Sequence, residues 1–201
     1  MSQLPAEGLI LDVGSCDADY LTEVGRPGRY VHRLDPRDCS GDGKPGLFYH
    51  SSLIGNALPA SSYDAVLVLS TLEHIGLPCY GQMPFIQGDV LALTEIRRLL
   101  KPGGTAIVTV PAGRSKITNW YRQYSPADLR RLFRGWDATI EYWAWNGRSF
   151  EPTPESEIER FDYFDRHGPD EGAGAVAGVV ACRPWPDSVV GVVTNPERRP
   201  T

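Results

Sequence analysis

The sequence predicts an α/β fold: a seven-stranded, mostly parallel sheet with helices on both faces and a final antiparallel hairpin. Three observations carry this. Short apolar runs at residues 9–13, 64–70 and 105–110 lack the polar alternation of a half-exposed strand, so they suit strands buried on both faces. Turn signals and amphipathic stretches lie between these runs, the pattern of a parallel sheet with covering helices. Two further strand-like runs, 138–145 and 175–182, close the chain's core as a hairpin.

The elements follow in order. Residues 9–13 form the first strand, ending at Asp12-Val13-Gly14, where the glycine allows a tight turn and close approach to the main chain. A short helix through Tyr20, Leu21 and Val24 precedes the 25–28 turn, and residues 30–34 form a second strand that ends at Asp35. Three glycines and a proline make 40–46 a loop, and 47–49 is a short third strand. Residues 64–70 form the fourth strand, followed by the turn Thr71-Leu72-Glu73-His74-Ile75.

Val90, Leu93, Ile96, Leu99 and Leu100 recur at three and four, which predicts an amphipathic helix over 89–100, stopped by Pro102-Gly103-Gly104. The fifth strand, 105–110, closes at Pro111. Ser125-Pro126-Ala127-Asp128 carries an N-cap serine, a first-turn proline and an acid three residues on, which opens a helix running to about Phe133. Residues 1–183 read as one domain, with an acidic insertion or lid at 146–174, and 184–201 as a proline-rich tail in which only 189–193 has any apolar pattern.

Composition narrows the function classes. The net charge of -5 disfavours nucleic acid as a partner, because phosphate binding needs excess Lys and Arg. No apolar run approaches the length of a membrane span, and Met1 to Gly8 carries no leader pattern, so a cytoplasmic protein is expected. Cys16, Cys39, Cys79 and Cys182 have no zinc-type spacing and read as reduced thiols, with no metal site.

Three features meet at the carboxyl ends of successive strands: the Gly14 turn, Asp35, and the segment from Ser70 to His74. Ligands bind at such ends in open α/β sheets. A dinucleotide fingerprint fails here, since its later glycines would fall at Cys16 and Asp19.

With Lys101-Pro102-Gly103-Gly104 added, residues 8–133 resemble the class I S-adenosylmethionine-dependent methyltransferases, whose sheet is Rossmann-like. The runs Leu72-Glu73-His74-Ile75-Gly76-Leu77, Tyr80-Gly81 and Glu95 to Gly104 are similar to a bacterial group found with polysaccharide or natural-product genes. The resemblance implies S-adenosyl-L-methionine as cofactor. It places Asp35 on the ribose hydroxyls, and Asp12, Gly14, Ser15 and Cys16 along the amino-acid end. Ser52 falls near the adenine, where the acid common in the family is missing, while Ser70, Leu72 and Glu73 border the sulfonium and adenine.

His74 is the candidate base, because an imidazole accepts a proton near neutral pH; orienting the loop is its alternative role. Tyr80, Arg114, Tyr121 and Arg122 offer acceptor contacts, although Tyr121 equally suits packing. Cys16 and Ala18 stand where the family carries glycines, and Cys16 also suits a small buried hydrophobe. The implied activity is methyl transfer to an oxygen or nitrogen of a small molecule such as a sugar or secondary metabolite. A non-catalytic protein keeping the same fold is the alternative, and an RNA or protein methyltransferase is a second, of which the acidic charge disfavours the nucleic-acid form. The expected partner is a small-molecule acceptor, with neither nucleic acid nor membrane; the oligomeric state, a homodimer included, stays open.

Overall fold

The computed structural model describes residues 3–163 and 172–185. Strands β1 (Gly8–Val13), β2 (Arg29–Asp35), β3 (Leu47–His50), β4 (Tyr63–Leu69) and β5 (Leu100–Ala112) form the parallel part of one sheet. Strands β8 (Asp137–Trp145), β9 (Phe150–Pro152) and β10 (Ala175–Cys182) extend it antiparallel. The order is β3-β2-β1-β4-β5-β10-β8-β9, so this sheet has eight strands where the sequence predicts seven; β6 (Lys116–Ile117) and β7 (Arg122–Gln123) pair separately. The added strand, β9, is three residues long and holds the sheet edge, too short to carry a periodic signal.

Side-chain alternation sorts the core onto two faces. Leu11, Val66 and Val68 point to the side covered by α2 (Gly88–Leu99) and α3 (Pro126–Leu132), where Leu93, Ile96, Leu99 and Leu129 are buried. Ile10, Ala65 and Leu67 point to the other side, against Leu21 and Val24 of α1 (Leu21–Val24). Each such valine, leucine or isoleucine stabilises the fold by about 1.5–3 kcal/mol. α3 begins with the expected capping box: Ser125 Oγ accepts from the Asp128 N–H at 3.2 Å, and Asp128 Oδ2 accepts from the Ser125 N–H at 3.1 Å.

Two local expectations change. The Pro-Gly-Gly segment does not separate α2 from a later strand; β5 starts at Leu100, directly after the helix, and the register against β4 slips between Tyr63 and Ala65. Residues 101–104 absorb that slip. Gly103, at φ +77°, and Gly104 pair through backbone hydrogen bonds with Arg183, which continue the ladder between β5 and β10 on the opposite edge of β5 from β4. The connection after β8 is also more structured than a long loop. A 3-10 helix, Glu155–Arg160, buries Ile158 completely in the main core, and the N–H of Arg114 donates to the Phe161 carbonyl. The apolar pattern expected at 189–193 lies outside the described residues.

The strand order reverses beside β1, where β2 lies on one side and β4 on the other. A crevice opens at such a reversal because the connecting segments leave in opposite directions.

Candidate functional site

That crevice is a cavity of about 300 Å³. Val13 and Gly14 from the end of β1, Leu34 and Asp35 from β2, and Leu69 and Ser70 from β4 line it. Ser52, His74 and Tyr80 complete the expected set. The structure therefore brings together Gly14, Asp35, Ser52, Ser70, His74 and Tyr80 from five separate stretches of chain.

Gly14 has φ +81°, in the left-handed region. A Cβ there would lie 2.2 Å from Thr71 Oγ1, so the glycine is required by the fold itself. Ser70, with φ +47°, turns the chain out of β4 and is held by its N–H donating to Thr109.

Asp35 is 1% exposed and its carboxylate accepts four hydrogen bonds. Oδ2 receives the Cys16 N–H at 3.0 Å and Arg37 Nη2 at 3.1 Å; Oδ1 receives the Arg37 N–H at 2.9 Å and Nε at 3.1 Å. Four acceptances fill a carboxylate's lone-pair sites. The same guanidinium donates from Nη1 to Asp17 at 2.9 Å and lies 4.8 Å from the Tyr80 ring centroid.

Asp12 is fully buried beneath the cavity floor. Tyr20, which lines the cavity, donates its hydroxyl to Asp12 Oδ1 at 2.7 Å, while Oδ2 has no hydrogen-bond partner among the described residues. Burial pushes the Asp12 carboxyl up to about 7, the Tyr20 bond opposing it. Glu73 is buried likewise, and burial pushes it up to about 8; its Oε2 also lacks a partner among the described residues.

His74 is half-buried at the cavity mouth. Its Nδ1 meets the Trp120 carbonyl oxygen, which can only accept, so Nδ1 carries the hydrogen and Nε2 keeps the lone pair. Nε2 lies 4.0 Å from Glu73 Oε1. Burial lowers the imidazole's pKa, the Trp120 bond opposing it, so the ring is neutral at pH 7. The Tyr80 and Trp120 rings pack around it, with centroids 5.5 and 5.3 Å away.

The other expected residues lie elsewhere. Ser15 and Leu72 are fully buried, and Cys16 and Glu73 stand behind the lining. Arg114 is exposed, and Tyr121 is buried with its ring stacked on Tyr163, centroids 3.8 Å apart. Arg122 donates to the Ile75 carbonyl at 2.7 Å and lines a second cavity of about 940 Å³ between α2 and α3.

The four cysteines are not all reduced thiols. Cys16 and Cys39 form a disulfide, their Cα atoms 5.6 Å apart, while Cys79 and Cys182 are free. The 23-residue separation concealed the pair, which only the side-by-side course of the loops after β1 and β2 creates. These two sulfurs and Asp35 are the group of potential metal ligands among the described residues, but the disulfide and the four donors on Asp35 consume them.

Arg37, Tyr20, Thr71 and Asp17 line the cavity without having been anticipated. Arg37 was legible in principle: an arginine two residues beyond a strand-end aspartate is within reach of its carboxylate.

The family described as Caenorhabditis protein of unknown function, DUF268, matches residues 57–159. No curated protein matches the chain. Three solved structures are similar in fold. A 1,6-didemethyltoxoflavin-N1-methyltransferase from Burkholderia thailandensis, with 1,6-didemethyltoxoflavin and S-adenosylhomocysteine bound, is 16% identical, with 88% of this chain and 71% of that chain covered and a TM-score of 0.58. An S-adenosylmethionine-dependent methyltransferase from Methanosarcina mazei is 13% identical, with coverage of 92% and 96% and a TM-score of 0.62. The cyclase SpnF is 19% identical, with coverage of 92% and 78% and a TM-score of 0.62. The fold is thus the mixed α/β fold shared by the two methyltransferases and the cyclase.

Proposed function

We propose, from the premise that the chain belongs to the family described as Caenorhabditis protein of unknown function, DUF268, that it is an S-adenosylmethionine-dependent methyltransferase acting on an oxygen or nitrogen of a small molecule, such as a sugar or secondary metabolite. The observation that carries this reading is the cavity at the strand-order reversal, onto which Gly14, Asp35, Ser70 and His74 converge.

The residues present suit the cofactor. The buried Asp12 Oδ2 is an acceptor without a donor among the described residues, and the cofactor's ammonium would donate to it. Asp35 would take the ribose hydroxyls once the Arg37 guanidinium withdraws from it, with Ser52 toward the adenine and Ser70 toward the sulfonium. When bound, the cofactor supplies an electrophilic methyl group. His74 Nε2 would accept the proton leaving the acceptor atom, its tautomer held by the Trp120 carbonyl. The Arg122 bond to the Ile75 carbonyl, immediately after His74, steadies that loop. Alignment of the acceptor supplies most of the rate. The toxoflavin enzyme's bound small molecule supports a small-molecule acceptor here.

Calorimetric titration with S-adenosylmethionine and S-adenosylhomocysteine tests this directly. Micromolar binding that Asp35→Ala weakens is expected; no binding at millimolar ligand, in oxidised or reduced protein, would sink it. Transfer of a labelled methyl group to a panel of sugars and metabolites then separates an enzyme from a protein that only binds. That second arm matters because SpnF shares this fold and is named for a different reaction.

A further inference from the structure

We infer that the Cys16–Cys39 disulfide is a redox clip that holds Arg37 in the ribose position on Asp35, so that reduction opens the cofactor site. This rests on the cofactor reading above and adds its regulation.

The geometry has three parts. Asp35 is filled: its four accepted hydrogen bonds leave no lone pair for the ribose hydroxyls unless Arg37 withdraws. Arg37 is held at its far end as well, by Asp17 and by the face of Tyr80. The disulfide then joins the two loops that supply these donors. Cys16 gives Asp35 its own N–H, and Cys39 lies two residues beyond Arg37, so the bond anchors both sides of the carboxylate.

The bond ties no core element to another. It lies behind the cavity lining, next to the lining residues Asp17 and Arg37, and beyond Cys39 the segment 40–46 is held separately by the ion pair of Asp42 with the buried Arg33, so breaking the bond releases the short stretch 36–39. Lys44 Nζ donates to the Cys16 carbonyl at 2.7 Å and reinforces the closed arrangement without a covalent link. A cross-link limits the conformations open to the segment between its ends, so with the disulfide intact Arg37 departs only with loops 15–17 and 36–39 still joined. In the reduced form the stretch 36–39 is no longer tied to Cys16, and the Arg37 guanidinium leaves Asp35 for solvent.

The chemistry balances with a dithiol as reductant. Its thiolate attacks one sulfur of the pair, the Cys16–Cys39 bond breaks, and the second thiol of the reductant resolves the mixed disulfide. The protein gains two electrons and two protons as two thiols; the dithiol leaves as a cyclic disulfide.

The experiment is titration of S-adenosylhomocysteine into the full chain, oxidised with glutathione disulfide or reduced with dithiothreitol. Peptide mapping under non-reducing conditions verifies the 16–39 bond. Reduction of the wild type should tighten the dissociation constant tenfold or more. Cys39→Ser should bind tightly in both conditions, and Arg37→Ala should do so even with the disulfide intact. Cys79→Ser should retain the redox response, and circular dichroism checks that each variant is folded. Equal affinity in both redox states, tighter binding when oxidised, or four free thiols after oxidation would overturn the clip while leaving the cofactor reading standing. Failure to bind in any state or variant would remove both.

Discussion

The Nδ1–H of His74 donates to the backbone carbonyl of Trp120, and this bond decides which imidazole nitrogen can accept a proton. The carbonyl belongs to a tight turn in which Thr118 Oγ1 accepts from the N–H groups of Trp120 and Tyr121 at 3.1 and 3.0 Å. A neutral ring with its lone pair on Nε2 is the form a general base needs. NMR of nitrogen-labelled protein, with His74→Asn to assign the signal, should show the Nδ1–H tautomer and a midpoint below the ordinary 6.5. The sign follows from burial. The unfolded chain binds the proton more readily, so this group's contribution to stability is present at neutral pH and is lost as pH falls through 6.5 and below. A midpoint at or above 6.5 would show that burial does not govern the ring.

If His74 is the base, His74→Ala should lower turnover by about 10²–10⁴-fold. Its affinity for S-adenosylhomocysteine should stay within about threefold of wild type, since cofactor retention does not need the base. Wild-type turnover in this variant would leave His74 with only its loop-orienting role.

Gly14→Ala should destabilise the protein by about 1–3 kcal/mol, because the alanine must hold φ +81° while its Cβ meets Thr71 Oγ1 at 2.2 Å. Thr71→Ala removes the two closest atoms, so the double variant should recover part of the loss in urea unfolding. Strict additivity of the two changes would show that the collision contributes nothing.

Glu73 offers a pH-dependent test of the core. With its carboxyl pushed up to about 8 by burial, the folded state holds a proton that the unfolded chain releases near 4.5. Stability from this group is therefore greatest below pH 4.5 and declines as pH rises toward 8. Glu73→Gln carries no such liability. Its melting temperature relative to wild type should rise between pH 5 and 8 and level off above; a constant difference across that range would mean that the carboxyl is ionised in the fold at little cost.

Ile158→Ala should cost about 2–5 kcal/mol, the range for a fully buried aliphatic residue. A change under about 0.5 kcal/mol, as at a surface position, would mean that the 3-10 helix does not anchor the segment after β9.

Much of the fold was legible because it rests on local signals. Unbroken apolar runs marked β1 and β4, three-and-four spacing marked α2, and Ser125 with Asp128 marked the start of α3. Tertiary pairing overrode the local reading at 101–104, where a proline and two glycines suggested a break but backbone bonds from Gly103 and Gly104 to Arg183 carry the strand through. No nearby residue could have announced a partner so far along the chain. Ile158 was similarly hidden, one apolar residue among acids whose burial depends on the core it meets.

For the site, the sequence by itself determined which strand ends carry reactive groups: Gly14 after β1, Asp35 at the end of β2, and Ser70 to His74 after β4. Chain order and hydrophobic pattern place these at one edge of a parallel sheet. Only the tertiary structure decided how those groups are occupied. It filled Asp35 with Arg37, turned His74 by way of Trp120, joined Cys16 to Cys39, and directed Arg122 to the Ile75 carbonyl. Secondary structure follows from periodicities over a few residues, whereas hydrogen bonding and sulfur pairing follow from distances of a few ångströms between loops remote in sequence.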